Sequence, residues 1–282
     1  MAGHDNISPT AHYTGYVWVA HELSHPSFAT LKGQALYAAL RAPQWLSART
    51  GGPTMDAILL ARHTLIDLQL ERAIASGAIT QVIEIASGLS PRGWRFASRH
   101  GAAIDYIEAD LPAMAQRKRD VLQSAGLDSA NHRVVDIDAF ADDGALSLNA
   151  LMSSLDRRKG TAIITEGLLN YFPTESVIAL WGRIAQALSR MQRGLYLSDI
   201  HLGHLGDDVA SRAFIAMLSR FVRSQVHLHF DGEVSAEQAL EHCGFGSAHL
   251  LRPRDFAERL PHCRASGVNR VRVIAARNGR WD

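Results

Sequence analysis

The stretch Gln81-Val82-Ile83-Glu84-Ile85-Ala86-Ser87-Gly88-Leu89-Ser90-Pro91-Arg92 decides the fold. Val82, Ile83 and Ile85 form the short apolar run of a buried parallel strand. The run ends in Ala86-Ser87-Gly88, small residues that let a ligand approach the backbone of a strand-to-helix turn. A dinucleotide site writes G-x-G-x-x-G at this place, so that N–H groups at a helix start hold a pyrophosphate. In this chain Ala86 replaces the first glycine, and Pro91 is expected to interrupt the segment that would become the helix. The pyrophosphate fingerprint is missing. That argues against a dehydrogenase and for a ligand without phosphate.

Outward from this turn, short apolar runs alternate with amphipathic stretches. Strands are expected at 80–86, 103–107, 132–135, 161–165, 194–198, 247–250 and 270–276, with helices at 112–125, 174–189 and 236–243 between them. Such alternation predicts a parallel, doubly wound sheet. Residues 251–269 are charged, contain Pro253 and Pro261, and show no crossover helix, so the last strand is expected to be antiparallel. Upstream, 30–46 and 55–76 read as helices, with Pro43 limiting the first, Gly51-Gly52-Pro53 separating the two and Gly77 as a C-cap. The expected fold is α/β: a Rossmann-like, seven-stranded, mostly parallel sheet with an antiparallel last strand. Residues 1–76 are read as a helical lid and 77–282 as the core of a single structural unit.

Composition narrows the function. A chain of 282 residues suits one α/β unit, and 47% hydrophobic residues supply an ample core. The net charge of +1 gives no sign of a nucleic-acid partner. Cys243 and Cys263, the only cysteines, are too few for a disulfide framework. No apolar run approaches the ~20 residues of a membrane span, and the first residues lack a signal-peptide core. The expectation is a soluble cytoplasmic protein acting on a small molecule, with neither nucleic acid nor membrane as partner.

Rossmann-like sites place a carboxylate ~20 residues beyond the small-residue turn, to accept from ribose hydroxyls. Glu108 lies 20 residues after Gly88 and Asp110 lies 22 after it, and either fits; Asp110 is also placed to cap a helix at Leu111-Pro112.

Three further segments join these in order: Ala61-Arg62-His63-Thr64-Leu65-Ile66-Asp67, Asp110-Leu111-Pro112 ahead of a lysine-bearing helix, and Glu166-Gly167-Leu168-Leu169-Asn170-Tyr171. With Gly88-Leu89-Ser90-Pro91-Arg92, they resemble the leucine carboxyl methyltransferase family of class I S-adenosylmethionine-dependent enzymes. More narrowly they resemble its bacterial polyketide O-methyltransferase branch, typified by the tetracenomycin carboxyl methyltransferase. The resemblance runs over residues 12–276. It implies S-adenosyl-L-methionine as donor and S-adenosyl-L-homocysteine as product. Carried over, Arg62 meets the donor carboxylate, and Glu84 and Gly88 lie at the turn. Asp110 binds ribose, Asp136 and Ile137 flank adenine, and Glu166 stands at the methionyl end. The family's usual G-A-G is Ala86-Ser87-Gly88 in this chain.

Methyl transfer is an in-line displacement that depends mainly on positioning. A carboxylate acceptor, with a pKa of ~4, needs no base, whereas a phenol at ~10 gains from one. The resemblance implies a small-molecule carboxylate or hydroxyl acceptor, polyketide-like. A protein C-terminal carboxylate, or donor binding without catalysis, are the alternatives. Candidate catalytic groups are Tyr171 and His201. Candidate acceptor contacts are Tyr13, Tyr16, Asn170, Tyr171 and His201. The stripe Phe214, Ile215, Met217, Leu218 and Phe221 reads as core or lid, and His227 and His229 as solvated or satisfied histidines. No Cys/His spacing supports a metal site.

Overall fold

A computed structural model describes residues 9–203 and 226–281. Strands β1 (Gln81–Ile85), β2 (Asp105–Asp110), β3 (His132–Asp136), β4 (Thr161–Thr165), β5 (Arg193–Ile200), β6 (Ser247–Leu251) and β7 (Arg272–Gly279) form one sheet. Their order is β3-β2-β1-β4-β5-β7-β6. The first five are parallel, and β7 runs antiparallel to both β5 and β6. The reversed last strand has the expected cause. Between β6 and β7 the chain makes only short 3₁₀ turns, so it cannot cross over and must return antiparallel.

The helices are α1 (Pro9–Ala20), α2 (Leu31–Arg49), α3 (Met55–Ala75), α4 (Arg92–His100), α5 (Pro112–Ala125), α6 (Leu148–Ser153), α7 (Thr174–Leu188) and α8 (Glu233–His242). Two expectations about proline are corrected. Pro91 does not interrupt α4 but occupies its N-cap position, where no intrahelical N–H is required. Pro43 does not end α2 but sits inside it. The lost hydrogen bond falls on a helix whose only buried residue is Gly33, so water can reach the orphaned carbonyl.

Side chains alternate between two apolar layers, as the pleat requires. Ile83, Ile107, Ile163 and Tyr196 face Leu180, Trp181 and Ile184 of α7. Val82, Tyr106, Ala162 and Leu195 face Leu65, Ile66 and Leu70 of α3 and Phe96 of α4. Thus α3 covers the sheet. α1 lies beyond it, packing Tyr13, Val17 and Trp18 on Met55, Leu59 and Leu60. Among the described residues no helix is long and apolar enough to cross a membrane.

The strand order reverses between β1 and β4. Ligands of open α/β sheets collect at such a switch point, outside the carboxyl ends of the strands.

Candidate active site

The turn after β1 is left-handed at both Ala86 (φ +54°) and Gly88 (φ +51°). Glycine accepts that conformation freely; alanine does so at a cost of roughly 1–2 kcal/mol. The turn is tied to β2. Gly88 N donates to Asp110 Oδ2 at 2.7 Å, and Leu111 N donates to Oδ1 at 2.8 Å. Burial raises the Asp110 pKa above the ordinary value, against the opposing pull of these two N–H groups. A cavity of about 410 Å³ opens beside it, lined by Asp110, Ile137, Asp138, Phe140 and Phe172 among others. The Phe140 and Phe172 ring centroids are 4.3 Å apart. This chamber offers an acid for hydroxyl groups and apolar walls for a flat ring.

Ala86 also lines a second cavity, of about 490 Å³, whose walls include Thr14, Trp18, Arg62, Ser87, Gly88 and Glu166. A buried ion network lies behind it. Arg92 is fully buried and donates from Nε to Asp67 (2.6 Å), from Nη1 to Glu84 (2.5 Å) and from Nη2 to Glu166 (2.5 Å). Arg62 donates from Nε to Glu166 (3.1 Å) and from Nη1 to Asp199 (2.9 Å). His63 Nδ1 lies 2.9 Å from Glu166 Oε2. Burial alone would raise the Glu166 and Asp67 pKa values. The charges of His63 and Arg92, and of Arg62 at Glu166 and Arg95 at Asp67, outweigh it and hold both carboxyls below their ordinary range. Two buried polar atoms of residues on this cavity, Ser87 Oγ and Trp18 Nε1, have no partner among the described residues.

A third cavity, of about 550 Å³, shares Thr10, Arg62, Gly167 and Tyr171 with the second. Met55, Ile58 and Leu59 form its apolar side, and Asn170, Asp199 and His201 its polar side. His201 Nδ1 lies 2.7 Å from the Arg270 carbonyl oxygen, so Nδ1 carries the proton and donates it there. Nε2 has no partner among the described residues. Burial lowers the His201 pKa and keeps the ring neutral. Asn170 clamps the same residue: its Nδ2 donates to His201 O at 3.3 Å, and its Oδ1 accepts from His201 N at 3.0 Å. Burial raises the Tyr171 pKa, so its hydroxyl, bonded to Thr10, stays protonated.

The structure therefore brings Arg62, Gly88, Asp110, Ile137, Glu166, Asn170, Tyr171 and His201 to the three chambers. It does not bring the others. Glu84 is buried against Arg92 and the Tyr106 hydroxyl. Glu108 is fully buried and bonded to Lys118 Nζ (2.9 Å) and His132 Nε2 (3.1 Å). Asp136 pairs with Arg119 at 2.9 Å on the surface, and Asp138 takes the place beside the cavity. Tyr13 is turned into the α2–α3 packing, its hydroxyl bonded to Asp56 and Gln44, and the Tyr16 ring meets Tyr37. The cavity side of α1 is Thr10, Ala11, Thr14 and Trp18 instead. Helical spacing could have found them: residues 10, 14 and 18 share one face, from which 13 and 16 are turned away. Arg92, Asp138 and Phe140 were also missed. Of these only Arg92 belongs to a recognised motif, and nothing local foretells its burial. His229 is buried, bonded to the Leu169 carbonyl and Thr174. The stripe from Phe214 to Phe221 lies outside the described residues. No cluster able to hold a metal occurs among the described residues.

This order of strands, with ligand chambers on both sides of the β1 turn, defines the class I methyltransferase fold. Solved structures agree. A provisionally named methyltransferase from Thermobifida fusca superposes with a TM-score of 0.65 over 97% of this chain and 96% of its own, at 13% identity. A DUF574 family protein from Streptomyces avermitilis gives 0.66 over 96% and 97%, at 12% identity. The sequence profile of leucine carboxyl methyltransferases matches residues 19–185, and the chain belongs to that family. It is 36% identical over 110 residues to a provisionally named S-adenosyl-L-methionine-dependent methyltransferase of Mycolicibacterium vanbaalenii, covering 39% of this chain and 34% of that one. It is 32% identical over 140 residues to one of Streptomyces coelicolor, covering 49% and 48%. The chain thus spans a third to a half of the length of these relatives. The family's cofactor is S-adenosyl-L-methionine. The residues fit it: an acid locked beside an apolar slot, then a charged chamber with orphaned donors.

Proposed function

We propose that the chain is an S-adenosylmethionine-dependent O-methyltransferase of a small molecule, with a phenol-type hydroxyl, as in aromatic polyketides, as acceptor. One observation carries the choice of acceptor: a neutral histidine, His201, that lines the apolar chamber with Nδ1–H held by a main-chain carbonyl and Nε2 without a partner among the described residues. In this reading the first chamber holds the adenosine, through Asp110 and the walls of Ile137, Phe140 and Phe172. The second holds the amino-acid end, through Arg62. When bound, the donor supplies an electrophilic sulfonium methyl. Arg62, Gly167, Tyr171 and Thr10 stand where the second and third chambers meet, and there they align the acceptor oxygen. In this reading His201 Nε2 takes the proton of the acceptor hydroxyl. Tyr171, kept protonated, serves as a hydrogen-bond donor rather than a base.

Family membership favours a second reading, a carboxylate acceptor, which is ionised already and needs no base. Transfer of labelled methyl to matched phenols and carboxylic acids, by the wild type and His201→Gln, separates the two. Phenol turnover that collapses in the variant supports the hydroxyl. Turnover of carboxylates alone, indifferent to residue 201, moves the acceptor to a carboxylate. Donor binding without turnover of either class reduces the function to donor binding.

A further inference from the structure

Tyr13 lies off the cleft, yet its bonds fix a helix that walls the cleft. We propose that Tyr13 is a positioning residue: its hydroxyl, held by Asp56 and Gln44, sets the rotation of α1 that brings Thr10 to Tyr171 where the second and third chambers meet. The inference rests on the reading above, which aligns the acceptor at that junction, and adds to it a residue outside the chambers.

Tyr13 is fully buried. Its hydroxyl donates to Asp56 Oδ1 and accepts from Gln44 Nε2 at 2.8 Å. Gln44 Nε2 also donates to Asp56 Oδ1 at 3.2 Å, and Gln44 Oε1 accepts from Asp56 N at 3.0 Å. The three residues thus close a ring of bonds between α1, α2 and α3. Burial and the charge of Asp56 raise the Tyr13 pKa, so the hydroxyl stays protonated and able to donate. Apolar residues lie all round α1, so burial alone does not choose its rotation, and polar bonds must. His12 Nδ1, 2.9 Å from Thr30 Oγ1, ties α1 to the start of α2. The bond from Tyr13 to Asp56 ties it to α3, whose Met55, Ile58, Leu59 and Arg62 wall the third chamber. Thr10, one turn before Tyr13, lines both the second and third chambers and is bonded to Tyr171, which lines both as well. A roll of α1 that releases residue 13 therefore carries residue 10 off Tyr171. Glycine lets the helix sit close enough for this to matter: a Cβ on Gly15 would stand 3.0 Å from Leu89 Cβ, in the turn after β1.

The test is a double-mutant cycle read by calorimetry with S-adenosylhomocysteine, alongside urea denaturation. Thr10 and Tyr171 both line the second chamber, so affinity for the donor product reports their placement. Tyr13→Phe keeps the ring in its packing and removes only the hydroxyl. It is expected to weaken S-adenosylhomocysteine about 5-fold, Tyr171→Phe by a similar factor, and the double variant no more than the worse single, as for residues that act through one contact. Asp56→Asn keeps an acceptor oxygen for Tyr13 and is expected to bind within about twofold of the wild type, whereas Asp56→Ala matches Tyr13→Phe. A purely structural role would lower stability in urea and leave affinity alone. Unchanged affinity in Tyr13→Phe, losses that multiply in the double variant, or Asp56→Asn as weak as Asp56→Ala each overturn the proposal. A wild type that does not bind S-adenosylhomocysteine overturns the donor assignment itself, a result distinct from a wild type that binds normally and variants that do not couple.

Discussion

The proposed donor and acceptor ends of the cleft use different materials. Around Ser87 and Glu166 the wall is main chain and buried charge, braced from behind by Arg92. Around Met55 and Leu59 it is apolar side chain, with His201 and Asn170 on the far side. The charged half is interdependent. Removing one ion strands several partners in a medium that cannot hydrate them, whereas an apolar contact is lost largely alone. Substitutions should therefore separate the halves, the donor half answering in stability and the acceptor half in rate.

The largest effect is expected from Arg92→Met. It leaves Asp67, Glu84 and Glu166 without their common cation, at about 3–5 kcal/mol, read by urea denaturation. Its pH signature follows from Asp67 and Glu166. Both are held below their ordinary values of 3.8 and 4.5, so they stabilise the fold above those values and cease to as pH falls through their folded ones. Without Arg92 the folded values rise, and the acid midpoint, followed by circular dichroism, should move to higher pH. An unchanged midpoint would disconnect the network from stability.

Next comes His201→Gln, expected to lower kcat/KM for a phenol about 100-fold while S-adenosylhomocysteine affinity stays put. In the wild type, kcat/KM should climb with pH as His201 loses its proton, and level off. The inflection should lie below 6.5, because burial lowers this pKa. A variant that loses affinity and rate together would erase the division between the halves. Asp110→Ala should weaken S-adenosylhomocysteine about 10-fold. The smallest effect belongs to Ala86→Gly. It relieves the left-handed strain but adds unfolded-state entropy, for a net gain under about 1 kcal/mol in thermal unfolding.

The two halves were also unequally legible. The strand pattern from Gln81 to Thr165 was readable because buried parallel strands are short apolar runs, and the lack of a crossover before Arg272 betrayed the reversed strand. Gly88, Asp110 and Glu166 could be read because each sits at a fixed distance from a strand end. Glu108 could not be told from Asp110 by spacing. Its burial against Lys118, on α5, is a tertiary fact. Tyr13 and Tyr16 were chosen by residue type, and the helix phase placed them elsewhere. The partnership of Arg62 and Asp199 joins residues 137 apart and leaves no local mark.

The bond between Gly88 and Asp110 has a thermodynamic consequence. With both carboxylate oxygens accepting from main-chain N–H groups, the side chain is already confined to one rotamer before any ribose arrives. Its ordering entropy is lost during folding rather than on association, so a sugar that docks against it loses less affinity to side-chain freezing. The turn that replaces the pyrophosphate loop thus acts as preorganisation, held by the acid it presents.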